Sequence, residues 1–330
     1  MKFTAEKSQI VDSLQNAAAV AERRQTIPIL ANLRLKASSG KLEVTATDLE
    51  IQIKNYSDLL SIEEEGETTV SARKMSELCR SLPDAENVDF LLKDGKLTVS
   101  SENFHGDFAT ISADDFPELE VNEEQESTEV QSAVLKRILT KTAFSMASQD
   151  VRYYLNGLLL ELTEGEIKAV ATDGHRLAMS ELAVKGMENE RQLILPRKGV
   201  IELSRLLSEG SRDISMSLGQ NQIRASMPEY TFTSKLVDGN FPDYRRVLPK
   251  GGNKVVLGNR QELKNAFSRV SILSNEKYRG VRLVLSPGEL KVLANNPEQE
   301  EAEEAIQVNY DGEPLEIGNN PKTILILTVI

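Results

Sequence analysis

At 330 residues the chain is long for one hydrophobic core and points to two or three domains. Forty per cent apolar and 27% charged residues describe an ordinary globular protein, and Cys79, the only cysteine, excludes an intrachain disulfide and suits a reducing cytoplasm. A net charge of −12 argues against holding nucleic acid by bulk attraction, while allowing a local basic surface; MKFTAEKSQ shows no signal peptide, and no apolar run approaches the roughly 20 residues of a membrane span.

The first expected element is a helix from Gln9 to Arg23, with apolar residues at three- and four-residue spacing. LANLRLKASSGKLEVTATDLE, from Leu30, then alternates through a turn at Gly40 and reads as a β-hairpin. SARKMSELCRSL, from Ser71, is a second helix, and FATISADDFPELE, from Phe108, a strand with an exit segment. After the acidic linker VNEEQESTEV the cycle restarts: a helix from Val134 to Met146, the hairpin LNGLLLELTEGEIKAVATDGH around Gly165, the helix in LPRKGVIELSRLL, and FTSKLVDGNFPDYR from Phe232. Beyond the linker VLPKGGNK a helix from Arg260 to Leu273 leads to a third hairpin, RGVRLVLSPGELKVLANNPEQ, around Gly288.

The turn glycines lie 125 and then 123 positions apart, Ala46, Ala171 and Ala294 follow each by six, and Arg73-Lys74 precedes Arg197-Lys198 by 124. That period is domain-sized, so the chain reads as one α+β domain used three times, over 1–121, 128–246 and 247–330. The helices are basic in an acidic chain: Lys7, Arg23 and Arg24; Arg73, Lys74 and Arg80; Lys136, Arg137 and Lys141; Arg197, Lys198 and Arg205; Arg260, Lys264 and Arg269. Each set alone is a solvated helix face. Repeated three times in similar units, the sets suit one surface that touches a phosphate backbone without reading sequence.

VATDGHRLA crowds Thr172, Asp173, His175 and Arg176 together and invites a catalytic reading. Asp173 and His175 could orient each other, but no nucleophile or metal set accompanies them. His105 and His175 are the only histidines, too few for a typical His/Cys metal site, and neither G-x-x-x-x-G-K-[ST] nor G-x-G-x-x-G occurs. No cofactor, metal or catalytic residue is expected. A scaffold for partners other than nucleic acid stays open at this point.

IPILANL, SMASQDVRYYLNG, VATDGHRLA, LPRKGVIEL, FTSKLVDGNFPDYRRVLPK, ILSNEKYRGVRL and ANNPEQEEAEE together resemble the bacterial DNA polymerase III β subunit family, the sliding clamps, from Met1 to about Gly318. The resemblance implies three clamp domains per chain, helices lining the inner face and sheets outside, in a head-to-tail homodimer ring around double-stranded DNA. It implies as partners the clamp loader, the DNA polymerase III core, other polymerases, and mismatch-repair proteins and ligase, which dock through short peptides rich in Gln, Leu and Phe. It implies a partner-peptide cleft at Leu155, Thr172, Gly174, His175, Arg176, Leu177, Pro242, Arg246, Val247, Tyr278 and Asn320. It also implies DNA contacts at Arg24, Arg73, Gln149, Tyr153 and Tyr154, and dimer contacts at Lys74, Ile272, Leu273, Glu300 and Glu304. On their own residues Ile272-Leu273 would be core, PEQEEAEEA a solvated acidic edge, and Tyr154 strand-entry packing as readily as a DNA contact. Lys74 is the cation that the acidic edge would meet across an interface.

From Pro321 the chain is expected to leave the family, and repeat arithmetic puts a full third repeat's end near residue 368, about 38 beyond Ile330. TILILTVI has the apolar, uncharged profile of an aggregating segment. The expectation is an incomplete third domain, and the alternative reading a truncated or frameshifted clamp with impaired dimerisation and partner binding.

Overall fold

All three glycine turns close a β-hairpin, and the backbone explains the glycines: Gly40, Gly165 and Gly288 sit at φ 76°, 76° and 79°, where a Cβ is strained. The computed structural model describes residues 1–21, 27–83, 86–119, 126–184, 190–207, 210, 212–248, 254–275 and 280–319.

The first repeat runs β1 (Lys2–Glu6), α1 (Lys7–Val20), β2 (Asn32–Ser38), β3 (Lys41–Thr47), β4 (Ile51–Asp58), β5 (Ser61–Glu64), β6 (Gly66–Ser71), α2 (Ala72–Ser81), β7 (Asn87–Lys93), β8 (Lys96–Ser100) and β9 (His105–Ile111). The second runs β10 (Glu126–Gln131), α3 (Ser132–Ala143), β11 (Gly157–Thr163), β12 (Glu166–Thr172), β13 (Leu177–Ala183), β14 (Arg191–Pro196), α4 (Arg197–Leu206), β15 (Asp213–Leu218), β16 (Gln222–Met227) and β17 (Tyr230–Lys235). The third gives β18 (Leu257–Gly258), α5 (Arg260–Val270), β19 (Val281–Ser286), β20 (Glu289–Asn295), β21 (Glu301–Asn309) and β22 (Leu315–Asn319). Each repeat thus opens on a short strand ahead of its first helix. Segments as short as KFTAE carry too few alternations to stand out beside a helix.

Two compact units emerge, Met1–Phe241 and Pro242–Ile330. In the first, one 13-stranded sheet is ordered β10-β15-β16-β17-β4-β3-β2-β6-β9-β8-β7-β1-β5, and a four-stranded sheet β13-β12-β11-β14. The seam between repeats is β17 antiparallel to β4, from Tyr230 opposite Asn55 to Ser234 opposite Ile51. On the helical side α1 packs on α2, α3 on α4, and α1 meets α4, so the four helices form a connected layer. The seam is braced there too. Lys198 Nζ lies 2.5 Å from Asp48 Oδ2 and 3.2 Å from the Val20 carbonyl, and Arg205 Nη1 donates to Asn16 Oδ1 at 2.7 Å.

One apolar cluster runs from Met1 to Phe232, with Phe3 stacked on Phe90 at 4.6 Å. Leaving β9, the chain packs Phe116 on Ile29, Leu30 and Leu49. Glu118 then accepts from Arg34 and from Lys54 Nζ, and Leu119 N–H donates to Gln52 Oε1 at 3.0 Å. In the second unit the sheet order is β18-β21-β20-β19-β22, and α5 sets Ala266, Phe267 and Val270 against Val281, Leu283 and Val292. Asn259 caps α5 by accepting from the Gln261 and Glu262 N–H groups.

Candidate nucleic-acid interface and partner cleft

The helical layer of the first unit is positive although the chain is negative. Helices α1 to α4 carry ten cations and three acids, Asp12, Glu77 and Glu202. Not every cation faces outward as expected: Lys7 is buried, its Nζ donating to the Leu82 carbonyl at 2.5 Å, so it ties a helix to its own domain. Arg197 donates to the Met146 carbonyl and Lys198 and Arg205 brace the seam. Arg73, Lys74, Arg80 and Arg137 are exposed. In the second unit Arg260 is exposed, Lys264 half-buried, and Arg269 Nε donates to Glu304 Oε2 at 2.9 Å.

Of the expected DNA residues, Arg73 is exposed and Arg24 lies outside the described residues. Gln149 is exposed at φ 58°, opening a loop that Asn156 closes, its Oδ1 accepting from Asp150 N–H and its Nδ2 donating to the Asp150 carbonyl, both at 2.9 Å. Tyr153 stands 57% exposed on that loop, edge-on to the half-buried Tyr154 at 5.8 Å. Arg152, which sequence reading passed over, forks onto Asp150 with Nε and Nη2 at 3.0 and 2.8 Å. Its side-chain and backbone hydrogen bonds pull the Asp150 carboxyl down to about 2.

The turn after β12 answers the catalytic question. Asp173 Oδ1 accepts from the His175 and Arg176 N–H groups, each at 3.0 Å, and Oδ2 from Arg176 Nε at 3.1 Å. Thr172 Oγ1 accepts from Gly174 N–H at 3.1 Å and donates to the Arg176 carbonyl at 2.7 Å. The turn after β3 is built alike: Thr47 Oγ1 donates to the Ile51 carbonyl at 2.8 Å, and Asp48 Oδ1 accepts from Glu50 and Ile51 N–H at 2.9 and 2.8 Å. Ala-Thr-Asp is therefore a repeated turn device. Burial raises the Asp173 carboxyl, yet the hydrogen bonds from His175 and Arg176 outweigh it, and its pKa lies below the ordinary value. It is an anion held in place and a poor general base.

Of the other cleft residues in the first unit, Leu155 is 2% exposed and can serve only as a floor. His175 is exposed, Leu177 half-buried, and the Arg176 guanidinium sits 5.6 Å from the Phe144 ring centre. In the second unit Pro242 and Arg246 are exposed, Val247 is 69% exposed, and Arg246 Nε donates to Asp243 Oδ2 at 3.0 Å. Tyr278 and Asn320 lie outside the described residues.

Ile272 is 78% exposed, against the core reading of a helix-end isoleucine, and Leu273 is half-buried. Glu300 N–H donates to Asn296 Oδ1 at 2.9 Å, and Asn296 Nδ2 to Glu300 Oε2 at 2.6 Å, the third repeat's version of the polar turn. Glu304 is paired with Arg269 within the chain. Among the described residues no group of three or more His, Cys, Asp or Glu side chains is placed to hold a metal, and no helix is long and apolar enough to cross a membrane.

Three family models match in succession: DNA polymerase III beta subunit, N-terminal domain over 1–120, central domain over 129–243 and C-terminal domain over 245–326. The third match runs past Gly318, which corrects the expectation that the family pattern stops there. The chain is 49% identical to the Pseudomonas aeruginosa beta sliding clamp over 332 residues, covering 100% of this chain and 90% of that relative, and 45% identical to the Escherichia coli K12 one, covering 98% and 89%. Among solved structures, the DNA polymerase III subunit beta of P. aeruginosa matches at 48% identity with TM-score 0.94, covering 100% of this chain and 90% of that one. The P. aeruginosa clamp bound to griselimycin matches with TM-score 0.95, at 48% identity and coverage of 100% and 89%. These matches, which span the chain and about nine-tenths of each relative, carry the clamp reading, not the impaired-variant alternative.

Proposed function

The chain belongs to the DNA polymerase III beta subunit family, the beta sliding clamps, and from that premise we infer how it works: two copies close a ring around duplex DNA and tether replication proteins to it. A sliding clamp is a processivity factor, with no catalysis of its own. The domains we read are 1–121, 128–246 and 247–330, and the setting is the cytoplasm.

One observation carries the ring: the seam between the first two repeats has unsealed counterparts elsewhere. Strand β9 is the first repeat's equivalent of β17, and β21 the third repeat's equivalent of β4. Their outer edges, His105 to Ala109 and Glu301 to Gln307, have no strand paired on them among the described residues. Repeating the seam between two copies sets Phe108 opposite Ala302, as Phe232 stands opposite Ile53. It also sets Lys74, the counterpart of Lys198, against the end of α5 with Ile272 and Leu273, and near the Asn296–Glu300 turn, the counterpart of Asp48. Each interface joins unlike domains, and two-fold symmetry makes both alike.

The ring resolves the charge conflict. Retention is topological, so phosphate contacts from Arg24, Arg73, Gln149, Tyr153 and Tyr154 need only be weak, and weak contacts permit sliding. The loader, polymerases, mismatch-repair proteins and ligase dock peptides at the cleft of Leu155, Thr172, Gly174, His175, Arg176, Leu177, Pro242, Arg246, Val247, Tyr278 and Asn320. Tethering then raises their effective concentration at the primer end.

A cysteine pair tests the ring. In a Cys79→Ser background, Phe108→Cys with Ala302→Cys should oxidise to a covalently closed two-chain ring, because facing strand positions suit a disulfide. Monomer only, under oxidation that crosslinks a control pair, would contradict the proposed seam.

A further inference from the structure

The three repeats share one polar turn, yet the family reading gives a peptide only to the second. We propose that Leu49 plugs the first repeat's counterpart of the cleft, and that Gly174 leaves the second open. The inference rests on the peptide-cleft reading and adds the residue that decides which repeat is competent.

The correspondence is fixed by the same offset of 125 at each position: Leu30 to Leu155, Thr47 to Thr172, Asp48 to Asp173, Leu49 to Gly174, and Phe116 to Phe241. Both turns make the same local hydrogen bonds, and both central residues lie in the left-handed region, Leu49 at φ 75° and Gly174 at φ 86°. A side chain at 174 would therefore leave the turn in the direction that Leu49 takes. Leu49 packs on Ile29, Leu30 and Phe116, covering the floor residue of its own repeat. A leucine in the left-handed region is strained, and it is held there by the apolar contacts it makes. In the second repeat glycine removes both the strain and the plug.

The space above Gly174 is bounded by a side chain that can move. A Cβ there would lie 3.2 Å from Arg152 Nη2 and 3.3 Å from Nη1, with no backbone atom among its three nearest neighbours. Arg152 is half exposed and anchored by Asp150 at the surface. An incoming apolar side chain can displace it without moving the fold. The occupant is thus an apolar residue of a linear peptide, filling over Leu155 the place that Leu49 fills over Leu30.

The test is Gly174→Leu, with Gly174→Ala as its partner, each in the full chain. Binding of a fluorescein-labelled peptide containing Gln, Leu and Phe is followed by anisotropy, with thermal melting and sedimentation alongside. Gly174→Leu should weaken binding about tenfold or more while the chain still melts cooperatively and keeps its oligomeric state, since one apolar subsite is filled. Gly174→Ala carries the same backbone strain and crowds Arg152 without reaching Leu155, so its loss of binding measures strain and crowding alone and should be clearly smaller than that of Gly174→Leu. Wild-type binding by Gly174→Leu would overturn the plug, as would equal losses in both variants, which would assign the effect to strain. No binding by the unaltered chain would sink the cleft reading and the inference with it.

Discussion

Asp173 shows how a polar residue that looks catalytic is committed to structure. Both its oxygens accept hydrogen bonds from its own turn, and a carboxylate so satisfied is stabilised as the anion. Asp173→Ala removes three bonds at a part-buried position and should destabilise the chain by about 1–2 kcal/mol, read by urea unfolding. An unchanged midpoint would mean the turn holds without it. Asp150 supplies the pH prediction. Its folded pKa is depressed to about 2 by Arg152, so its contribution is complete above the ordinary carboxylate range and is lost as pH falls through about 2. Asp150→Asn should lower stability near neutrality, where that contribution is complete, and flatten the acid limb of the stability curve, so that variant and wild type converge as pH falls towards 2. The motif was legible because Asp and Thr hydrogen-bond within a few residues of themselves. The partners of Arg152 and Lys198 were not: Asp150 and Arg152 lie two apart inside an unremarkable loop, and Asp48 is 150 residues from Lys198.

At the scale of elements the sequence was most informative where a local signal repeats. Alternation and a glycine requirement mark each hairpin, and apolar spacing marks each helix to within a few residues. The seam between β17 and β4 was invisible, since an edge strand looks the same in sequence whether or not another strand lies on it. So was the fate of Ile272, whose apolar side chain says core while the fold leaves it 78% exposed. That exposure gives a prediction. Ile272→Ala with Leu273→Ala should change unfolding of the protomer by about 1 kcal/mol or less, because little buried area is removed. Sedimentation should nevertheless show dissociation to single chains. A double variant still paired at wild-type concentration would return these residues to the fold. Lys198→Ala probes the intact seam: losing a part-buried ion pair should lower stability by about 1–3 kcal/mol, and no change in urea midpoint would contradict the brace.

Over the whole molecule the distribution of charge matters more than its sum. A chain of net charge −12 repels DNA at long range, and only a positive layer of helices lets duplex lie close without being gripped. Arg24→Ala with Arg73→Ala should therefore lower loading efficiency and reduce the salt slope by about 1 for each phosphate that is no longer neutralised. An unchanged slope would remove both arginines from the DNA surface. The measurement that bears most directly on the ring is retention on loaded plasmid, circular against linearised. A topological ring stays on the closed circle through a gel-filtration run in moderate salt and leaves after a single restriction cut, with its affinity for phosphate unaltered. Equal retention on both forms, or release from both at one salt concentration, would mean that the chain holds DNA by direct adhesion and does not encircle it.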